Sequence, residues 1–255
     1  MLVVERRKKI VDLVNDRKSV RVSELSEIFS ITKETIRRDL EKLEEQGKLI
    51  RSHGGAVSIR EVDDQEISYQ EREVTNVEEK KQIALTAVKQ INPGDKVILD
   101  ASSTAWYVAK EIPDFEITVL TNSIKVATEL SNKKNIVVIS TGGILRPESL
   151  SYIGPLAESS LDLYHVDKAF ISCKGFHFER GMSESSEQQA RVKEKMVNNA
   201  DKVFIMIDHS KFGIQAFSRF GSIEKVDCII TDDKIDSQIE QTIKSGPFKF
   251  IIASN

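Results

Sequence analysis

The sequence has little from which to build a cross-linked, metal-bound or membrane-spanning protein. It holds two cysteines, Cys173 and Cys228, and four histidines in 255 residues. Both cysteines sit inside apolar runs with no neighbouring ligands, which predicts buried, reduced thiols rather than a disulfide or a metal site. His53, His165, His177 and His209 show no ligand spacing, so neither a metal nor another cofactor is expected. No run approaches the ~18 apolar residues needed to span a bilayer. Met1–Arg7 lacks the apolar stretch of a signal peptide. A cytoplasmic chain with no membrane partner is therefore expected.

What is present is a globular composition, 40% hydrophobic and 30% charged, over a length that allows two medium domains. The net charge of −3 averages over unlike parts. Residues 1–60 carry 14 basic and 10 acidic side chains, +4, and the rest of the chain carries 23 and 30, −7. A basic module ahead of an acidic body suggests that only the first part approaches phosphates.

Three short helices and a hairpin are predicted in residues 1–60. Ile10, Leu13 and Val14 give a first helix over about 4–15. Ser23 can cap a second, with Leu25, Ile28 and Phe29 as its buried stripe. Thr32 can cap a third carrying Ile36, Leu40 and Leu43, with Gly47 as its stop. Two short strands, 49–51 and 56–59, flank Gly54-Gly55. The polar stretch 61–76 has the composition of a linker. From residue 77, apolar runs at 96–99, 117–120, 135–140, 168–172, 202–207, 228–231 and 249–252 alternate with helical segments. This alternation predicts a mostly parallel sheet covered on both faces, over 77–255.

On a helical wheel of ~100° per residue, Ile36, Leu40 and Leu43 cluster on one side of the third helix. Glu34, Thr35, Arg38 and Lys42 fall opposite, and Arg37 on a flank. A recognition helix needs such a face, although a merely solvated charged face has the same pattern. The order helix, helix, short turn, helix, glycine hairpin favours DNA contact. The DNA-facing set is then Thr32, Lys33, Thr35, Arg37, Arg38 and Lys42, with Arg51 and His53 on the hairpin as a wing.

The run Thr35-Ile36-Arg37-Arg38-Asp39-Leu40, with Leu43, Gly47, Leu49 and Arg51-Ser52-His53-Gly54-Gly55-Ala56, resembles the DeoR family of bacterial regulators. Arg6, Ile10 and Val14 fit that family's opening helix. Within the family the chain is similar to the rhamnose-catabolism type of Bacillus-like bacteria. The resemblance implies a winged helix-turn-helix joined to a larger α/β sensor domain resembling ribose-5-phosphate isomerase. It implies a repressor of a sugar-catabolism operon, a homo-oligomer on operator DNA, released by a phosphorylated sugar such as rhamnulose 1-phosphate. It also implies that Asp39 holds an arginine or a cap within the module rather than touching DNA.

Loops at strand ends supply the candidate effector site. Asp100-Ala101-Ser102-Ser103-Thr104 places three hydroxyls at a helix N-terminus, an arrangement that holds anions and also occurs as a plain N-cap. The resemblance favours phosphate. Thr121-Asn122-Ser123 repeats the placement, and Thr141-Gly142-Gly143 allows close backbone approach. Lys174, Asp208 and Lys211 follow later strands, where they suit a pocket or a surface ion pair. Glu187 and Lys193 share a helix that could instead support a dimer. The competing reading is an active sugar-phosphate isomerase with a fused DNA-binding module. Isomerisation needs a carboxylate base and an electrophile, with Glu187 or Asp208 as nominees. Ser172-Cys173-Lys174-Gly175 stands where the isomerase pattern places acidic residues, so no turnover is expected.

Overall fold

A computed structural model describes residues 3–17, 19–52, 54–57, 67–244, 246 and 248–254. The chain forms two compact units, Met1–Gln65 and Glu66–Asn255.

In the first unit, α1 (Val3–Arg17), α2 (Val22–Phe29) and α3 (Lys33–Glu45) pack around Ile10, Val14, Leu25, Ile36, Leu40 and Leu43. The strands β1 (Ser19–Arg21), β2 (Ile50–Ser52) and β3 (Gly55–Val57) form an antiparallel sheet in the order β1-β3-β2. Gly55 is required there, because a Cβ would fall 2.1 Å from the Val20 carbonyl oxygen. The cap of α2 is Arg21, two residues before the expected Ser23, which lies inside the helix. The strand β1 is too short to show a period of its own.

The second unit is built on seven parallel strands: β4 (Lys96–Leu99), β5 (Ile117–Thr121), β6 (Ile136–Ser140), β9 (Val166–Ile171), β12 (Ala200–Met206), β14 (Cys228–Asp232) and β15 (Lys249–Ala253). Their order is β15-β14-β12-β9-β4-β5-β6. Side chains alternate between two buried layers, as strands covered on both faces require. Val97, Leu99, Phe170, Phe204 and Met206 lie in one layer. Ile98, Ala169, Ile171, Val203 and Ile205 lie in the other. The helices α5 (Val77–Val88), α6 (Ser103–Glu111) and α7 (Ile124–Leu130) cover the first layer. The helices α8 (Pro155–Asp162), α9 (Glu187–Asn198) and α10 (Ser237–Lys244) cover the second. A hairpin, β7 (Ile144–Arg146) with β8 (Ser151–Ile153), and a small antiparallel sheet of β10 (Gly175–His177), β11 (Gly181–Glu184) and β13 (Ser218–Gly221) complete the unit.

The stretch with linker composition is structured in part. Helix α4 (Tyr69–Val74) belongs to the second unit. The Ser68 hydroxyl accepts from the Glu71 N–H, and Tyr69 is fully buried. Tyr69 is the buried anchor of a helix whose other side chains, apart from the exposed Val74, are polar.

Candidate functional sites

Helix α3 buries Ile36, Leu40 and Leu43, and exposes Lys33, Arg37, Arg38 and Lys42, with Thr35 half-buried. Thr32 caps it: Oγ1 accepts from the Thr35 N–H at 3.3 Å and lies 3.0 Å from the Thr35 hydroxyl. Arg37 pairs with Glu34 at 3.3 Å and Lys42 with Glu45 at 2.6 Å, both in solvent. Such exposed pairs are weak, so a phosphate can displace the carboxylates. Lys33, Arg37 and Arg51 line one groove with Ser23 and Gly54-Gly55. His53 lies outside the described residues. Asp39 is buried, and its two oxygens accept from Arg6 Nε at 2.7 Å and Arg7 Nε at 2.8 Å. Its charge is thus neutralised within the unit, as the resemblance implied.

In the second unit, the strand order reverses at the boundary between β4 and β9. At such a reversal the connections diverge and a crevice opens beyond the carboxyl ends of the strands. A pocket lies there. It is lined by Ser102, Ser103 and Thr104 after β4, Ser172, Cys173 and Lys174 after β9, and Asp208 and Lys211 after β12. Ile67, Arg72, Lys80, Glu184, Ser185 and Lys193 complete it. Five cations thus face two carboxylates, Glu184 and Asp208.

Asp100 supports this pocket without lining it. It is fully buried; Oδ1 accepts from the Ser102 N–H at 3.2 Å and the Ser102 hydroxyl at 2.6 Å. Its Oδ2 accepts from the Ser172 N–H at 3.0 Å and lies 3.1 Å from Lys193 Nζ. One carboxylate therefore ties the β4 loop, the β9 loop and Lys193 together. Ser102 caps α6, its hydroxyl accepting from the Ala105 N–H at 3.0 Å. Ser103 and Thr104 are the first two residues of that helix. Their N–H groups have no intrahelical acceptor.

Lys193 Nζ donates to the Ser172 carbonyl at 2.6 Å and to Glu184 at 2.5 Å. Burial works against its charge, but Glu184 and Asp100 prevail and hold its pKa above the usual lysine range. Lys80 Nζ donates to the carbonyls of Arg72 and Thr75 at 2.5 and 2.6 Å. Burial pushes its pKa down to about 8, against the pull of Asp208 and with the help of Lys211. Burial would raise the Asp208 pKa, yet Lys211 and the hydrogen bonds from Ser210 leave it below the usual carboxylate range. Burial pushes the Cys173 thiol up to about 12, so it stays protonated and a poor nucleophile at neutral pH.

The structure does not bring every expected residue here. The Thr121 hydroxyl accepts from the Ser123 N–H, and Asn122 Nδ2 donates to the Tyr152 carbonyl beneath the β7–β8 hairpin. The Thr141 hydroxyl donates to the Gly142 carbonyl. Gly143, at φ +117°, serves close packing, since a Cβ would lie 2.8 Å from the Ile153 carbonyl oxygen. These loops follow β5 and β6, away from the reversal. Glu187 is exposed and pairs with Arg191 at 2.7 Å. It lines a separate surface depression with Glu158 and Arg219. Conversely, Arg72, Lys80 and Glu184 were not expected in the pocket. The cap pattern Ser68-x-x-Glu71 before Arg72 was the available signal.

A model of the DeoR-like helix-turn-helix domain matches residues 6–62, and one of the DeoR C terminal sensor domain matches residues 75–233. The uncharacterized HTH-type transcriptional regulator YulB of Bacillus subtilis is 59% identical, covering 92% of this chain and 91% of its own. The HTH-type transcriptional repressor GlcR of the same organism is 37% identical over 89% and 88% of the two chains. The L-fucose operon activator of Escherichia coli is 36% identical over 90% and 95%. Among solved structures, ribose 5-phosphate isomerase A of Methanocaldococcus jannaschii covers 54% of this chain and 55% of its own, at 18% identity and a TM-score of 0.41. No helix among the described residues is long and apolar enough to cross a membrane. The chain belongs to the DeoR family of DNA-binding transcriptional regulators: it is a helix-turn-helix joined to a parallel α/β sensor domain, and a regulator rather than an enzyme.

Proposed function

We propose that the chain represses a sugar-catabolism operon and leaves its operator when a phosphorylated sugar enters the pocket at the β4–β9 boundary. What carries this reading is the excess of cations in that pocket beside the first N–H groups and hydroxyls of α6. A phosphate dianion needs several donors at one spot, and a helix N-terminus with adjacent cations supplies them. Glu184 and Asp208 offer acceptors for sugar hydroxyls. In this reading Ser103, Thr104, Lys174, Lys193, Asp208 and Lys211 touch the effector, Asp100 and Ser102 hold the wall, and rhamnulose 1-phosphate is the first sugar to test. Residues 1–60 read the operator through Thr32, Lys33, Thr35, Arg37, Arg38, Lys42, Arg51 and His53. A homo-oligomer sets two such modules on paired half-sites.

Repression rather than activation follows the resemblance and the name of GlcR; the fucose relative bears the opposite name, so a reporter fusion must decide the sign. The test of the pocket is a thermal-shift screen of the full chain against sugar phosphates, followed by operator binding. A ligand that binds only the folded state raises the melting temperature. The reading is overturned if no sugar phosphate both raises it and releases DNA.

A further inference from the structure

At the amino ends of the parallel strands, one face of the sheet finishes in lysines. Register decides which side chains share that face. Lys202 on β12 lies beside Lys168 on β9, Phe204 beside Cys228 on β14, and Cys228 beside Lys249 on β15. Residues two apart on a strand point the same way, so Lys202 joins Phe204, and Lys249 joins Ile251. Adjacent strands are ~4.8 Å apart, and like charges side by side at that spacing repel.

A cavity of about 340 Å³ opens on this face, with Phe204, Cys228 and Ile251 as its apolar floor. Phe204 stacks on Phe170 at 4.8 Å, which fixes that floor. Four lysines line the cavity, Lys168, Lys202, Lys249 and Lys89 from the end of α5, against one carboxylate, Asp227. Asp227 already accepts from the Val203 N–H at 2.8 Å, and Lys168 is buried on Asp95 at 2.5 Å. Lys89, Lys202 and Lys249 make no ion pair among the described residues. This excess stands on the acidic part of the chain, where residues 61–255 carry 23 basic and 30 acidic side chains. A solvated face of such a domain would carry both signs. A concave wall of one sign over an apolar floor instead focuses its field on an anion.

We infer that this cavity is a second ligand site, for a small organic phosphate of nucleoside monophosphate size. Lys89, Lys202 and Lys249 hold the phosphate, and the apolar part of the ligand lies over Phe204 and Ile251. The cavity has the volume for it, since small-molecule sites begin at ~300 Å³. The pocket at the β4–β9 boundary lies beyond the carboxyl ends of the strands, and this one lies at their amino ends. The inference therefore does not depend on the reading of that pocket, and two anions can bind one domain without competing.

The experiment treats the full chain with an amine-acylating reagent and reads each lysine by mass spectrometry. Adenosine monophosphate (AMP) is the probe, with adenosine and inorganic phosphate at matched ionic strength as controls. AMP should slow acylation of Lys89, Lys202 and Lys249 and leave the exposed Lys225 unchanged. Adenosine and inorganic phosphate should protect the three lysines less than AMP at the same concentration. In Lys202→Gln with Lys249→Gln, protection of Lys89 should need at least about tenfold more AMP, because two charge-assisted contacts are lost. The melting temperature of that variant without AMP should equal or exceed that of the wild type, since two exposed like charges have been removed. In Ser103→Ala with Thr104→Ala, protection of the three lysines should be unchanged. Equal acylation with and without AMP would mean solvated lysines and would overturn the inference. So would protection by inorganic phosphate equal to that by AMP, or wild-type protection of Lys89 in the lysine variant. Protection that vanishes in the Ser103 and Thr104 variant would place AMP in the other pocket, and the second site would fall.

Discussion

Asp39 carries a charge that duplex DNA would repel, on the helix proposed to read DNA. Its side chain turns inward and joins Arg6 and Arg7 from α1. Arg38, its neighbour, points to solvent. The two substitutions should therefore separate stability from recognition. Asp39→Ala leaves two arginines without their carboxylate and should lower unfolding stability by about 3 kcal/mol, the order of cost for breaking a buried pair, measured by denaturant titration. Arg38→Ala should leave stability within ~0.5 kcal/mol but weaken operator binding. If Arg38 reads a base edge, the loss should be ~1–3 kcal/mol with relaxed specificity; if it touches phosphate, all sequences should weaken and the salt slope should fall by about 1. Unchanged operator affinity at fixed salt removes Arg38 from the contact set. Lys80 gives a pH prediction. Its folded pKa of about 8 lies below the ordinary 10.5, so between these values the unfolded chain binds more protons. Stability from this group then rises with pH across that window and is lowest below pH 8. Wild type should gain on Lys80→Met in unfolding free energy between about pH 8 and 10, and a gain in the other direction would contradict a depressed pKa.

At the scale of elements, the start of α6 divides labour between adjacent hydroxyls. Ser102 caps the helix and donates to Asp100, whereas Ser103 and Thr104 stand at the first helical positions in the pocket wall. Ser102→Ala should cost about 1 kcal/mol of stability, the usual worth of a cap, whereas Ser103→Ala with Thr104→Ala should cost less and act on ligand binding. Melting curves with and without phosphate distinguish the two. An equal loss of stability in both variants would mean that the three hydroxyls form one structural unit. The parallel strands were legible in the sequence because each is a near-continuous apolar run, as suits a sheet whose central strands are buried on both faces. The pieces β1, β7, β8, β10, β11 and β13 are three or four residues long, too short for any period to show. Helix α4 was hidden by its polar composition, since Tyr69 alone anchors it in the core. Strand order was not legible either. Thr121 and Thr141 have the same strand-loop-helix or strand-loop setting as Ser102, but pairing places only β4 and β9 at the reversal. Local pattern identifies loops at strand ends; which of them share a crevice depends on long-range pairing.

For the whole molecule, the proposed function requires a link between pocket occupancy and operator affinity. The link requires that the effector bind one arrangement of the chain better than another, and the shift it produces cannot exceed that difference. The side chains proposed to read DNA, Lys33, Arg37, Arg38 and Arg51, lie in the first unit, and Ser103 and Thr104 in the second. Replacing both hydroxyl residues with alanine should therefore leave operator affinity, and its salt dependence, at the wild-type level in the absence of effector. What should change is release. Each lost hydrogen bond to a charged ligand costs ~1.5–3 kcal/mol, so effector affinity should fall at least tenfold. The concentration of sugar phosphate that dissociates half of the operator complex should rise by the same factor, and in cells the operon should remain repressed in the presence of its sugar. The measurement is an operator titration of wild type and double variant at fixed salt, repeated across effector concentrations. Release of the variant at the wild-type concentration would move the phosphate away from the start of α6, and two other cations of the pocket lining, Lys174 and Lys211, would then be the residues to replace.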